Sequence, residues 1–390
     1  MSNKIVLKKG LNIPIKGAAD LRVARTIMPD VVAVKPSVFV KEGDAVKCGS
    51  PILVEKKCSD ILITSPVSGK VREIVRGEKR KLIAVLIETD AEQTYVDFDV
   101  KSDSADDVKK TLLESGLWPW IIQRPYGVIA NPEIQPKAIF VSAFDTAPLA
   151  ADQEFVLGDE TNAIQAGINA LSKLTEGGVH VSVNSDDSNF LKLTGVKFHR
   201  FEAKKHPAGN VGVQISHISP IRKEETVWTV SLLGLACIGR LFQKGRYDVR
   251  RKVAIAGPMA IEPCYISTVP GMPMKSIAGQ IGTNADTARI ISGNLLSGET
   301  VGADGYLGFY ASTITMLKEG TEKELFGWIR PIRYKQFSTD HSYFSWLMPW
   351  RKYDLDTNLH GGPRAFVMSD SYYSKVLPMD IFPLYLAKAC

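Results

Sequence analysis

Cysteine is scarce and scattered. The chain of 390 residues carries five, at positions 48, 58, 237, 264 and 390, and no two of them form a C-x-x-C pair. That spacing excludes a zinc ribbon, an iron–sulfur cluster held by this chain alone and a disulfide framework, and it fits a reducing compartment. Long apolar runs are missing too: the longest, Val227 to Gly239, meets Arg240 well short of the roughly 20 residues that cross a bilayer. The opening MSNKIVLKKG lacks the charged-then-apolar layout of a secretory signal. No Walker-type phosphate loop occurs, since SGKV has neither the leading glycine nor the hydroxyl that would hold magnesium. G-x-S-x-G and H-E-x-x-H are absent, and the histidines at 180, 199, 206, 217, 341 and 360 stand apart from any carboxylate cluster. No catalytic residue and no metal ligand is therefore assigned. Basic residues exceed acidic ones only by 48 to 42. The basic clusters Lys70 to Lys81 and Arg246 to Lys252 read as solvated faces, because no nucleic-acid motif with interleaved aromatics accompanies them.

What is present is a change of pattern along the chain. Residues 1–100 are β-rich, with short Val/Ile runs (DVVAV, PILVE, DILIT, GKVREIV, KLIAVLIE) punctuated by EGD, CGSP and SPVSG turns. Residues 101–252 read as α/β. KSDSADDVKKTLLESGL predicts a helix stopped at Gly116, and AIFVSAF is a buried-type strand. Ile164, Ile168, Leu171 and Leu174 mark a helical face ended by Gly177 and Gly178, and VHVSV supplies the next strand. EETVWTVSLLGLACIGRLFQKG is expected to be one mostly buried helix, and RKVAIAG to begin a new strand. Residues 253–318 alternate strand, turn and short helix, which predicts a small β-grasp-like domain. Residues 319–390 concentrate aromatics and are expected to be mostly helical. There, Trp328, Tyr334, Phe337, Tyr343, Phe344, Trp346 and Trp350 alternate with Arg330, Arg333 and Lys335. That composition suits a protein or membrane-surface contact, and core packing around prolines accounts for it equally well.

The stretch Lys41 to Val71 has the layout of small β-domains that carry biotin or lipoate on a lysine at a hairpin tip. Counted back from Pro66, the acceptor position falls on Cys58, and Lys57 is one residue out. A one-residue slip in a hairpin turns a side chain to the other face. A barrel-sandwich hybrid without its arm is the expectation, with a carrier using Lys57 as the alternative. After AIFVSAF, a flavin or dinucleotide site would need glycines that let phosphates approach a helix start, and SAFDTAPLAAD has none. The best small-molecule loop is KKHPAGNVGVQIS, Lys204 to Ser216, which places Gly209 and Gly212 beside His206 and Asn210. Taken alone, the motif is weak, and a Gly-rich turn between elements is the favoured reading.

The segments KIVLKKGLNIPIKGAAD, HPAGNVGVQISHISP, VWTVSLLGLACIGRLF, VAIAGPMAIEPCYI and RIISGNLLSGETV, in this order over nearly the whole chain, resemble the A-subunit family of bacterial Na(+)-translocating NADH:quinone oxidoreductases. The resemblance implies a multidomain α+β chain. A barrel-sandwich hybrid (1–100) is followed by a Rossmann-like α/β domain (101–252) akin to a degenerate flavin/NADH-binding domain. A β-grasp, SLBB-like domain (253–318) and a C-terminal region (319–390) that continues past Cys390 in relatives complete it. It also implies a peripheral component on the cytoplasmic face of the bacterial inner membrane. Such a component is bound to the other subunits of the complex, chiefly the membrane-embedded B subunit, and serves sodium export coupled to reduction of ubiquinone or menaquinone. Related flavin-bearing subunits carry a Gly-rich loop, acidic residues at a strand end and cluster cysteines. Here IQRPYGVIANPEI and FDTAPLAAD stand at those places and no cysteine set remains. Flavin, NADH and clusters are therefore not expected in this chain, nor is a covalent cofactor. A third possibility, an active flavin-dependent NADH dehydrogenase, predicts a yellow protein. A quinone needs donors for its carbonyls and flat apolar walls, and His206, Gly209, Asn210 and Phe144 are the candidates.

Overall fold

A computed structural model describes residues 4–19, 21–28, 31–34, 39–55, 58–202, 205–280, 287–321, 332–338, 341, 343–358 and 369–390. Ser104 starts the first helix, Ala105–Glu114, through a capping box. Its hydroxyl accepts from the Asp107 N–H, and the Asp107 carboxylate accepts from the Ser104 N–H. Val108 and Leu112 turn inward from this helix, and Gly116, at φ +75, closes it as the sequence predicts. The next elements form a seven-stranded sheet. Its order is Lys4–Val6, Val196–Glu202, Val179–Val183, Ile139–Ser142, Val227–Val230, Ile121–Arg124 and Val128–Ile129. The first five strands run parallel, and the last two close the edge as an antiparallel hairpin.

Helices Thr161–Leu171 and Leu232–Lys244 cover one face of this sheet, and Val211–Ile218 packs on the other. The first two cross with their backbones touching: a Cβ on Gly239 would lie 1.6 Å from the Ala163 carbonyl oxygen, and one on Gly167 would lie 2.4 Å from that of Leu235. Only glycine fits at this crossing. Arg240, buried on the second helix, forks onto both Glu160 carboxylate oxygens at 2.7 and 2.8 Å and donates to the Arg250 carbonyl at 2.7 Å.

The segment expected as one helix from Glu224 onward is instead strand Val227–Val230 followed by helix Leu232–Lys244. Ser231 divides them as N-cap, accepting from the Gly234 N–H at 3.0 Å, and Gly245 ends the helix in the left-handed region. A continuous apolar run carries no periodicity that separates buried strand from buried helix, and the cap was the available signal.

The sandwich consists of a four-stranded antiparallel sheet, Val31–Val34, Leu82–Thr89, Gly69–Arg76 and Ala45–Val46, over the hairpin Pro51–Val54/Leu62–Thr64. Ile52, Leu53, Val67, Val85 and Ile87 fill it. A six-stranded mixed sheet follows the order Glu299–Thr300, Ala288–Ser292, Thr313–Lys318, Arg251–Ala256, Cys264–Thr268 and Leu21–Thr26. The strand pairing thus distributes residues 1–100 beyond the sandwich. Lys4–Val6 joins the α/β sheet beside Val196–Glu202, and Leu21–Thr26 lies parallel to Cys264–Thr268. Local pattern cannot encode partners so far along the chain.

In the described part of 319–390, regular helix is confined to Asp370–Val376 and Pro383–Ala389, with a 3-10 turn at Phe344–Leu347. The remainder of the described part is loop and turn, so the expectation of a mostly helical region fails there. Trp328 and Arg330 lie outside the described residues. Arg333 is buried, its guanidinium over the Tyr343 ring, whereas Trp350 is 77% exposed.

Candidate functional site

Strands Ile139–Ser142 and Val227–Val230 are neighbours, but the chain leaves the first towards Val179–Val183 on one side and reaches the second by way of helix Val211–Ile218 on the other. Connections diverge at that point, so a crevice opens beyond the carboxyl ends of the two strands. A cavity of about 650 Å³ lies there. Ser142 and Phe144 border it from the first strand's end, Thr229 to Leu233 from the second, and Asn294, Leu296, Tyr310 and Ser312 from the six-stranded sheet's loops.

His206, Gly209, Asn210 and Phe144, the four candidates from sequence, all line this cavity. The backbone of His206 is clamped by Leu11, each residue donating its N–H to the other's carbonyl at 2.8 and 3.1 Å. Its Nδ1 lies 3.4 Å from the Thr146 hydroxyl. Burial pulls the imidazole below its ordinary value, against the opposing pull of Asp145 and the Thr146 backbone. The ring is therefore neutral near pH 7, with one nitrogen to donate and one to accept.

Asn210 caps helix Val211–Ile218, its Oδ1 accepting from the Gly212 N–H at 2.8 Å, which leaves its NH2 as the group able to donate outward. Phe144 is a wall, backed by Phe201 at a ring distance of 6.4 Å. Gly209 acts differently from expectation. Its N–H donates to the Thr146 hydroxyl at 2.8 Å, and a Cβ there would come within 2.6 Å of the Thr146 nitrogen. Glycine at 209 lets two loops close on each other rather than opening backbone to a ligand.

Sequence reasoning missed Arg124, at the end of strand Ile121–Arg124. It lines the cavity half-buried, its Nε has no hydrogen-bond partner, and burial lowers its pKa with no carboxylate opposing. The helices starting at Val211 and Leu232 also direct their N-terminal ends here, so the cavity is biased towards positive potential. Only Asp145 among its lining residues carries an opposite charge, and its Oδ1 accepts from the Ala147 N–H at 2.8 Å.

Other chemistry is poorly provided for. Among the described residues no three His, Cys, Asp or Glu side chains gather as metal ligands. Burial pushes the Cys48 and Cys237 thiols up to about 11, which keeps them protonated and inert. His180, expected as a satisfied core histidine, bonds His199 at 2.8 Å between ring nitrogens and stacks on Phe140. Lys57 lies outside the described residues. Near it, Ser59 and Asp60 are exposed, whereas the strand that follows is docked. Ile61 is buried in the α/β core, Cys58 packs against that core, and the Thr64 hydroxyl donates to the Ser115 carbonyl at 3.0 Å. Among the described residues no helix is long and apolar enough to cross a membrane.

Comparison with known proteins gives a consistent result. Three family profiles match: "NqrA N-terminal barrel-sandwich hybrid domain" at residues 5–90, "NqrA second alpha/beta domain" at 103–247 and "NQRA C-terminal domain" at 252–303. The A subunit of the Na(+)-translocating NADH-quinone reductase of Yersinia pestis bv. Antiqua is 35% identical over 98% of this chain and 88% of its own length. Its counterpart in Neisseria meningitidis serogroup A is also 35% identical, with the same coverage. Among solved structures, an NAD+-reducing [NiFe]-hydrogenase in the air-oxidized state aligns with 56% of this chain and 47% of its own, at 10% identity and a TM-score of 0.41, which carries no conclusion. With three domain profiles in order and relatives aligned almost end to end, the chain belongs to the NqrA family, the A subunits of the Na(+)-translocating NADH-quinone reductase.

Proposed function

We propose that this chain is the quinone-contacting A subunit of a sodium-translocating NADH:quinone oxidoreductase, and that ubiquinone or menaquinone enters the 650 Å³ cavity at the carboxyl ends of the parallel strands. The observation that carries this reading is the convergence there of His206, the Asn210 amide and the Phe144 wall. A quinone ring has two carbonyl oxygens that accept hydrogen bonds and two flat faces that prefer apolar contact. Neutral His206 and the Asn210 NH2 donate to the carbonyls, and Phe144 packs on the ring. Arg124 and the two helix N-termini favour the electron-rich oxygens.

In this reading the α/β unit is Rossmann-like, with its phosphate loop lost. The six-stranded unit is a β-grasp, SLBB-like domain. The sandwich is biotinyl/lipoyl-like and unmodified. The one-residue slip of Lys57 from the acceptor position speaks against a carrier lysine at the hairpin. Flavin and iron–sulfur clusters reside in partners. The missing glycines after Ser142 support this for flavin, and the burial of Cys48, Cys237 and Cys264 supports it for clusters. The chain assembles with the other subunits of the complex, chiefly the membrane-embedded B subunit, as a peripheral component on the cytoplasmic face, and contributes to sodium export through that assembly. Exposed Phe344, Trp346, Leu347 and Trp350 provide an apolar patch suited to such contacts.

The test is a titration of the purified protein with a quinone while tryptophan fluorescence is followed. Saturable quenching is expected, and His206→Ala should weaken it by roughly tenfold, the worth of one hydrogen bond to a buried acceptor. No saturable change, or an affinity untouched by the substitution, removes the site.

A further inference from the structure

A second cavity, of about 550 Å³, lies where the sandwich, the hairpin edge of the α/β sheet and the six-stranded unit meet. Its character is opposite to that of the first. Val75, Ile83, Leu86, Ile129, Val301 and Leu307 make its walls. Two hydroxyls that face it are already spent: Thr64 donates to the Ser115 carbonyl at 3.0 Å and Tyr310 to the Pro119 carbonyl at 2.7 Å. Tyr247, Glu299, Thr300 and Tyr306 also border it, but the apolar side chains supply most of the surface on which hydrocarbon would pack.

The two cavities share a wall. Tyr310 lines both, Trp120 lines the polar one and Phe309 the apolar one. These three rings form a single stack, with Tyr310 edge-on to Trp120 at 5.4 Å and to Phe309 at 4.9 Å, and Trp120 against Phe309 at 4.9 Å. Arg251, buried beneath, fixes the stack. Its guanidinium lies 5.3 Å from the Trp120 ring centre and donates to the Phe309 carbonyl at 2.6 Å. Tyr310 nevertheless keeps 52% of its surface accessible, as a side chain bordering two hollows does.

We propose that the apolar cavity holds the hydrocarbon tail of the quinone whose ring occupies the polar cavity, with Tyr310 and its stacked neighbours marking the boundary between ring and tail. This rests on the reading of the polar cavity given above. The adjacency explains why a mainly apolar hollow lies directly against a more polar one, and it makes the tail a determinant of affinity. Neither cavity alone need take the whole ligand, since each has the size of an ordinary small-ligand pocket.

The experiment compares two probes on the full chain without detergent: a benzoquinone bearing a ten-carbon alkyl tail and the same ring without it. The tailed probe is expected to bind at least about tenfold more tightly, since burial of even two methylenes gives that factor. Ile83 is 49% exposed at the cavity rim, so Ile83→Glu should fold as the parent does, which its urea unfolding midpoint checks. It should abolish the tail's advantage and leave the tail-less affinity unchanged, with Val301→Glu doing the same. His206→Ala should weaken both probes by one common factor. Equal affinities for the two probes, or an advantage that survives both glutamate variants, overturns the tail site while the ring site stands. Binding of neither probe overturns both.

Discussion

The hairpin Pro51–Val54/Leu62–Thr64 and the loop pair Asp145–Thr146/His206–Asn210 are the two places where the chain resembles a cofactor holder, and the fold treats them oppositely. The hairpin is pressed into the α/β core by Ile61, and its Thr64 is tied to Ser115. The loop pair is fastened to itself, Gly209 against Thr146, and borders an open cavity. Both contain small and polar residues in a turn. What separates a scaffold from a site is therefore the surface on which a loop closes, not the loop's own composition. A loop that satisfies its hydrogen bonds internally leaves neighbouring side chains free to face a ligand.

This contrast is breakable. The largest effect should come from Gly116→Val. At φ +75, a Cβ would lie 2.5 Å from the Thr64 hydroxyl, so backbone strain and overpacking together should cost on the order of 3 kcal/mol. Urea unfolding measures it, and quinone affinity should be unchanged in the folded fraction. A variant as stable as the parent would mean that the hairpin is not docked.

Gly209→Ala should act on the other loop. Its Cβ would meet the Thr146 nitrogen at 2.6 Å and force the loops apart, for about 2 kcal/mol in stability. Quinone affinity should fall as well, because His206 and Asn210 move with the loop. Unaltered binding in a folded variant would separate this loop from the site.

The last test concerns pH and lies outside both regions, which makes it a control. Burial first, then neighbouring His199, lowers His180 from 6.5 to about 4. The unfolded chain therefore takes up this proton before the folded one. The stability contributed by neutral His180 is complete above pH 6.5 and lost as pH falls towards about 4. Comparing unfolding midpoints of the parent and His180→Gln from pH 7 downward should show a shallower decline in the variant. Parallel curves would refute the assignment.

Much of the local structure was legible. KSDSADDVKKTLLESGL announced a helix, the spacing of Ile164, Ile168 and Leu171 announced another, and Gly116 stands where left-handed closure is needed. Strand Val227–Val230 was hidden in a uniformly apolar run, where periodicity has nothing to report. For the candidate site, His206, Gly209 and Asn210 were visible as a glycine-bearing polar loop and Phe144 as a strand-end aromatic. Arg124 and Tyr310 were not. Arg124 ends a strand that pairs with Val227, far along the chain, and Tyr310 reaches the cavity from another unit, so neither has a sequence neighbour that marks it.

By itself the sequence determined the periodic elements, the family, and the absence of clustered cysteines and phosphate loops, because these depend on residues within a few turns of one another or on their order along the chain. Tertiary structure alone decided that Lys4–Val6 and Leu21–Thr26 would complete sheets built from residues 196–202 and 264–268. It also buried Ile61 of the sandwich in the α/β core and set a polar and an apolar cavity against the same tyrosine. Those outcomes arise from burying apolar faces against partners far along the chain, and a local pattern specifies that a face must be covered without specifying by what.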